Sequence, residues 1–361
     1  MSESLPHAGR LTIDCGALAD NWRLLAARAA PAETAAVVKA NAYGTGIDIA
    51  APALAKAGCT TFFVAHLSEA ARVRAACRNA VIYVLHGLPA GGIAHFAKLQ
   101  ARPVIGSAPE LAEWQAQGGG AYALHIDTGM NRLGVRYDGL AEFDIPNGGP
   151  ALLMTHFVSS ELPDLPINAA QRAAFSLARA RFPGVPASVS NSSGFFHAER
   201  LAAEQYRAGY ALYGGNPLPG QPNPMRPVVK LEAPILQVRR VKAGETVGYN
   251  QRWTAKRDSL IATVSVGYAD GYPRNGANTD MKPGGHGRLG GVLCPFAGNV
   301  SMDLITVDVT DAPAGLAERG GWISLIDEVL DVDRVGAACG TIGYEILTSL
   351  GARYQRRAIG G

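Results

Sequence analysis

Between Ala36 and about Gly214 the sequence alternates short apolar runs with stretches of helical spacing, and this alternation limits the fold more than any other feature. The runs are Ala36–Val38, Thr61–Val64, Val81–Leu85, Pro103–Ile105, Ala121–Ile126, Leu152–Thr155, Ala187–Val189 and Tyr210–Tyr213. Nearly continuous in apolar residues, they read as strands buried on both faces, which is the pattern of a parallel sheet. Eight such units over roughly 200 residues predict a closed (β/α)8 TIM barrel, an α/β fold, over an open doubly wound sheet. No GxGxxG follows the first strand, which counts against a dinucleotide fold.

Residues 215–227, GNPLPGQPNPMRP, hold five prolines in thirteen residues and can continue neither a strand nor a helix. Beyond them Val228–Val241, Ser259–Tyr268, Gly291–Phe296 and Leu304–Val309 alternate or run apolar between glycines and prolines, the pattern of an antiparallel, mostly β C-terminal domain. The predicted organisation is a barrel over 1–214, a proline-rich linker over 215–227 and a β-domain over 228–361. Arg10–Cys15 reads as a strand ahead of a helix to about Ala29, and residues 1–12 are candidates to join the β-domain. Gly284–Gly291, GGHGRLGG, leads into a strand and reads as a hairpin turn, not a phosphate loop. A last helix is predicted over Tyr344–Leu350.

A chain of 361 residues with net charge +3 is expected to be globular and two-domain, with no basic stripe for nucleic acid or a membrane surface. MSESLPHAGR lacks the basic and apolar regions of a leader, and no run of about 18 apolar residues occurs, so a soluble, cytoplasmic protein is expected. The five cysteines are widely spaced with no CxxC, which predicts neither zinc nor a disulfide framework; no metal is expected.

Lys39 stands where the first apolar run ends, ahead of a turn containing Asn41, Gly44 and Gly46 and a helical stretch, Ile47–Ala57. A poorly hydrated lysine at a strand's carboxyl end can serve as an amine nucleophile or base; the plainer reading is a lysine reaching water. Other polar residues fall at strand ends, where barrel sites are built: His125 and Asp127, His156, Asn191-Ser192-Ser193, and Arg207 before Gly209-Tyr210. His66 and His86 also end strands but read as packed histidines, His197 and His286 as surface residues, and Phe195-Phe196 as core.

The stretch AVVKANAYGTG closely resembles the cofactor-lysine motif of the alanine racemase family, VVKANAYGHG, with Thr45 at the usual histidine. HIDTGMNRLG, Asn191-Ser192, YRAGYALYG, VGYNQRW, GYADGYPR and GNVSMD continue the resemblance in order over nearly the whole chain. It implies pyridoxal 5'-phosphate as the cofactor, carried on Lys39. Tyr43, His156, Ser192 and the amides of Gly209 and Tyr210 are then expected around the cofactor, most of them at its phosphate, with Arg207 at the pyridine nitrogen. It assigns Tyr249 as a second catalytic base, Arg132 and Met302 to substrate binding, and Tyr268, Arg274 and Asp303 to supporting or access positions. It further implies a homodimer in which each barrel is completed by the partner's Tyr249.

Four further positions depart from the family's pattern. His125 stands where many members carry a carbamylated lysine that braces the arginine, leaving His125 itself or a bound anion as the brace. Ser188 replaces a histidine behind Arg207, and Asn299 an access arginine. Ala352 takes the place of a gate tyrosine, with Tyr354 a possible stand-in.

Racemisation needs bases on opposite faces of one carbon and an electron sink between them. An ordinary phenol near pKa 10 is only about 1% ionised at pH 8, so a tyrosine base needs a cation such as Arg132 beside it. An arginine at the ring nitrogen keeps its own proton and weakens the sink. A barrel-plus-β-domain decarboxylase of basic amino acids is the alternative within enzymes. A non-catalytic cofactor-binding barrel is the alternative outside them, and the second domain with Tyr249 argues against it.

Overall fold

The computed structural model describes residues 9–143, 145, 149–198 and 202–361. Residues 1–8, most of the N-terminal segment MSESLPHAGR, therefore lie outside the described residues. By contacts the chain divides into two units, one holding Leu18–Arg226 and the other the N-terminal residues through Ala17 with Pro227–Gly361.

After β1 (Arg10–Asp14) and α1 (Cys15–Ala29), the barrel strands are β2 (Glu33–Val37), β3 (Thr61–Val64), β4 (Val81–Val84), β5 (Arg102–Ile105), β6 (Ala123–Asp127), β7 (Leu152–Met154), β8 (Ala187–Ser188) and β9 (Gln205–Ala208). Every pairing is parallel, and β9 returns to β2 in the register Gln205↔Glu33 through Ala208↔Ala36, closing a ring of eight. All residues of β3, β6 and β9 are buried, as strands covered on both faces require. The main intervening helices are α2 (Ile47–Ala57), α3 (Leu67–Ala76), α4 (Ile93–Leu99), α5 (Ala108–Ala116) and α6 (Pro166–Arg179).

The last barrel strand is not the one the apolar pattern suggests. Tyr210–Tyr213 forms a 3-10 turn, and Gln205–Ala208 supplies the strand. Gly209, at φ −128° and ψ −101°, turns the chain off the extended path, and Gly214 ends the turn in the left-handed region. A four-residue buried apolar run has no period that tells a strand from a helical turn.

The second unit is built on a long strand, β10 (Val229–Val241), whose first seven residues alternate between buried and half-buried. It pairs antiparallel with β1, with β11 (Ser259–Val264) and with β15 (Trp322–Ile326). β12 (His286–Leu289) and β13 (Val292–Pro295) form a hairpin on Gly290 and Gly291, both at positive φ; β14 (Ile305–Asp308) pairs with β11, and β16 (Gln355–Ile359) lies parallel to β1. Half of the GGHGRLGG stretch, His286–Leu289, is thus strand, and its last two glycines make the turn. Helices α7 (Val332–Ala338) and α8 (Gly343–Thr348) complete the unit.

The strand β1 belongs to this sheet, and it overlaps the residues, 1–12, that the sequence makes candidates to join the β-domain. The proline-rich segment is anchored at its end. The Asn21 side chain donates to the carbonyls of Leu212 (3.1 Å) and Arg226 (2.9 Å) and accepts from the Arg226 amide (2.8 Å), tying its end to α1. Among the described residues no helix is long and apolar enough to cross a membrane, and no cluster of metal-binding side chains occurs. All five cysteines are free thiols.

Candidate active site

The carboxyl ends of β2, β6, β7, β8 and β9 gather the predicted barrel residues. Lys39 follows β2 and is half-buried. Burial first, then the guanidiniums of Arg132 and Arg207, hold its amine below the usual lysine pKa, while Glu69 pulls the other way. Two cations and partial desolvation thus favour the neutral, nucleophilic amine.

The residues after Lys39 do not form an ordinary loop. Ala40, Asn41, Ala42 and Tyr43 have φ of 53°, 54°, 55° and 50°, a full left-handed helical turn without a glycine. Such backbone costs roughly 1–2 kcal/mol per residue, so neighbours must hold it in place. The turn carries Tyr43 inward, where its ring stacks on Tyr213 with centroids 4.7 Å apart and a tilt of 22°.

Tyr43, Ser192 and Gly209 meet at one point. The Ser192 hydroxyl accepts the amides of Gly209 and Ala211, both at 3.1 Å. A Cβ on Gly209 would lie 2.6 Å from the Tyr43 hydroxyl, so only glycine fits there. The two hydroxyls, with two amides that now rest on the Ser192 oxygen and could turn to an anion, make a compact polar set suited to a phosphate. The amide that joins Gly209 on Ser192 is that of Ala211, beside the predicted Tyr210.

Arg207, on β9, is 4% exposed. Its Nη1 donates to the Ser188 carbonyl (2.8 Å) and hydroxyl (2.9 Å), and its Nη2 to the Thr155 carbonyl (2.6 Å), with His156 Nδ1 at 3.5 Å. Its Nε–H is not spent on these bonds. Burial lowers its pKa to about 10, which leaves it charged near neutral pH. Burial, reinforced first by Arg207, pushes His156 down to about 3.

Arg132 sits exposed on the loop after β6 and makes no hydrogen bond or ion pair with a described residue. Asp127 shapes that loop: its carboxylate accepts the amides of Gly129 and Met130 (2.9 Å each) and Asn131 (3.1 Å). Arg132 and His125 line one cavity of about 390 Å³ with His86, Ser107 and Glu110. Burial, then the positive charge of Arg207, pushes His125 down to about 4, so it is neutral near pH 7 and can brace a cation only as a dipole. His86, read from the sequence as a packed histidine, packs edge-on against His66 with centroids 4.4 Å apart. His197 is half-buried with Nε2 2.5 Å from the Ser160 carbonyl, and His286 is half-buried on β12, so neither is the surface residue its sequence context suggests.

In the β-unit, Tyr249 is 71% exposed on a short turn, and Asn299 donates from Nδ2 to its carbonyl at 3.0 Å. The Tyr268 and Met302 segments are laced together, with the amides of Tyr268 and Ala269 on the carbonyls of Ser301 (3.0 Å) and Met302 (2.9 Å). Arg353 bridges buried Asp270 (3.1 Å) and exposed Asp303 (2.8 Å), and Arg274 is exposed on the next turn. Tyr354 is 3% exposed with its ring against Gly9, so it offers no hydroxyl for the missing gate tyrosine.

Sequence reasoning missed Glu69, whose carboxylate holds the backbone around Lys39, and Gln171, wholly buried, whose amide reaches the Thr128 hydroxyl and the His156 carbonyl, both at 3.1 Å. The spacing of His66 and Glu69 is that of a capping box, the one signal that could have pointed to Glu69.

A closed parallel barrel with a lysine of lowered pKa and a cluster of polar residues at its strand ends is the architecture of a barrel enzyme. The chain belongs to the alanine racemase family: that family's N-terminal domain matches residues 13–217 and its C-terminal domain residues 228–358. It is 53% identical to an alanine racemase of Methylobacterium nodulans, covering 100% of this chain and 99% of that one. Among solved structures it is similar to alanine racemase from Bartonella henselae with covalently bound pyridoxal phosphate, at TM-score 0.88 and 36% identity over 98% of this chain and 100% of that one. The biosynthetic alanine racemase of Pseudomonas aeruginosa matches at TM-score 0.88 and 35% identity, over 98% and 99%.

Proposed function

We propose a two-base route for this chain, a pyridoxal-phosphate-dependent racemase of alanine: Lys39 serves one face of the substrate's α-carbon and Tyr249 the other. The observation that carries the proposal is the setting of Lys39, partly desolvated and flanked electrostatically by two guanidiniums. A lysine so placed can hold the cofactor covalently and, once released, take or return a proton at the α-carbon. The cofactor, when bound, draws the electrons of the broken Cα–H bond into its ring. In our reading the hydroxyls of Tyr43 and Ser192 and the amides near Gly209 hold its phosphate, with Tyr210 and His156 beside them. Arg207, whose Nε–H is not spent on Ser188 or Thr155, would stand at the ring nitrogen and, keeping its own proton, would leave that nitrogen unprotonated, which would limit the sink and favour racemisation over side reactions.

Arg132 binds the substrate carboxylate and favours the ionised form of the phenol that acts as second base. That phenol belongs to a second copy of the chain. A tyrosine 71% exposed on its own unit, backed by Asn299, suits a group that completes a neighbour's site, and a two-fold dimer makes two such sites. Met302 helps shape the pocket, with Tyr268, Arg274 and Asp303 along the substrate's path. A cytoplasmic setting is part of the same proposal.

The test is an assay of the purified chain with pyridoxal phosphate and each alanine enantiomer, beside Lys39→Ala and Tyr249→Phe. Each enantiomer should be converted into the other, lysine and ornithine should release no carbon dioxide, and both variants should lose racemisation. Full activity in either variant would remove that residue as a base. Carbon dioxide from lysine or ornithine would favour the decarboxylase reading.

A further inference from the structure

The left-handed turn after Lys39 is an unstable backbone placed where orientation matters most, and one acidic side chain outside it does much of the holding. Glu69, near the start of α3, accepts the Asn41 amide at Oε1 (3.1 Å) and the amides of Ala65 and His66 at Oε2 (2.9 and 3.3 Å). A single carboxylate thus joins the end of β3 to the middle of the turn. Arg72, one helical turn further along α3, donates to the Asn41 side-chain oxygen at 2.7 Å and pairs with Asp48 at 2.6 Å. That same oxygen accepts the Ile47 amide at 3.1 Å, so Asn41 is gripped at its backbone and at its side chain.

We infer that Glu69 is a positioning residue for Lys39, its carboxylate holding the left-handed turn that presents the lysine amine and acting on that amine with its charge. The inference rests on the reading of Lys39 as the cofactor's anchor. Glu69 is the negative group acting on Lys39 against Arg132 and Arg207, while His86 and His156, which also feel Lys39, are both held toward their neutral forms. Replacing the carboxylate by an amide leaves one acceptor oxygen for three amides and removes the charge.

The test follows capture of pyridoxal phosphate by the full chain stripped of cofactor, trapped with borohydride, mapped to Lys39 and repeated across pH. For Glu69→Gln we expect capture to slow about tenfold, the loss of one hydrogen bond to a charged group. The pH of half-maximal capture should also fall, because the charge that favours the protonated amine is gone. Adding Ala40→Gly, at an exposed position of the turn that a glycine adopts without strain, should restore the rate but not the pH midpoint. A role of Glu69 confined to capping α3 would give no rescue by that glycine.

Wild-type rate, an unmoved midpoint or absence of glycine rescue would each overturn the proposal. If Glu69→Gln does not fold, Arg72→Gln takes its place, and there the rate loss and its glycine rescue decide alone. If the wild-type chain itself is not labelled at Lys39, the functional reading fails. Hydrogen exchange at the Asn41 amide then decides the clamp: faster exchange in the variant supports it, and equal exchange overturns it.

Discussion

Nη1 of Arg207 donates to both the carbonyl and the hydroxyl of Ser188, at 2.8 and 2.9 Å, so a buried guanidinium is braced entirely by neutral oxygens on that side. Among the described residues no carboxylate pairs with it, and even lowered to about 10 its pKa leaves it protonated near neutral pH. The positive charge is therefore available to whatever faces Nε. Arg207→Glu should reverse the effect: a carboxylate lets the ring nitrogen hold a proton and deepens the sink. We expect racemisation to fall and keto-acid release from alanine to rise, measured as pyruvate formed per alanine racemised. An unchanged ratio would place the arginine away from the ring nitrogen.

Arg132 is exposed and free of protein partners among the described residues, which leaves its planar fork for the substrate carboxylate and the second base. Arg132→Lys keeps the charge and loses the two-point geometry. A drop in kcat of about tenfold or more is expected, roughly the 1.4 kcal/mol of one pKa unit, with the basic limb of the pH–rate profile displaced. An intact rate and profile would take Arg132 out of the mechanism.

The shared site has a direct test in mixed dimers. Lys39→Ala and Tyr249→Phe homodimers should each be inactive, since each lacks one base. After dissociation and mixing, a heterodimer carries one site with both lesions and one with neither, so up to about half of its sites should work. If Tyr249 acts within its own chain, every site keeps a lesion and no activity returns even when heterodimers form.

Acid should destabilise the fold through its buried histidines. His125 and His156 are pushed from the ordinary 6.5 down to about 4 and about 3, chiefly by burial and then by Arg207. Between those values and 6.5 the unfolded chain binds protons that the folded chain refuses. Stability from this source is therefore full above about pH 6.5 and drains away as pH falls toward 4 and then 3. Denaturant titrations should show that slope, and His125→Asn should flatten its upper part by up to about 1.4 kcal/mol per pH unit. An equal slope in the variant would mean that His125 titrates normally in the fold.

The barrel and the β-domain were legible in the residues, as was the gathering of polar residues at strand ends, because each rests on a local signal. Continuous apolar runs mark parallel strands, as β3 and β6 show, and polar residues that end such runs are delivered to one rim once the ring closes. The short motif around Lys39 named its own neighbours, Tyr43 among them. Local pattern fell short wherever a residue's role depends on what the fold brings to it. Tyr210–Tyr213 reads as a strand until Gly209 turns the chain, and Tyr354 looks available until the sheet buries it against Gly9. The sequence names Ser188 as a replacement but does not say that its hydroxyl still reaches Arg207, 19 residues on. Most of all, the left-handed turn at Ala40–Tyr43 is tied to a distant element: Glu69, 28 residues from Asn41, accepts a backbone amide there. The period of a sequence records which face of an element is buried. Which distant oxygen meets which backbone donor, and so which strained turn is held, is decided only when the strands have closed.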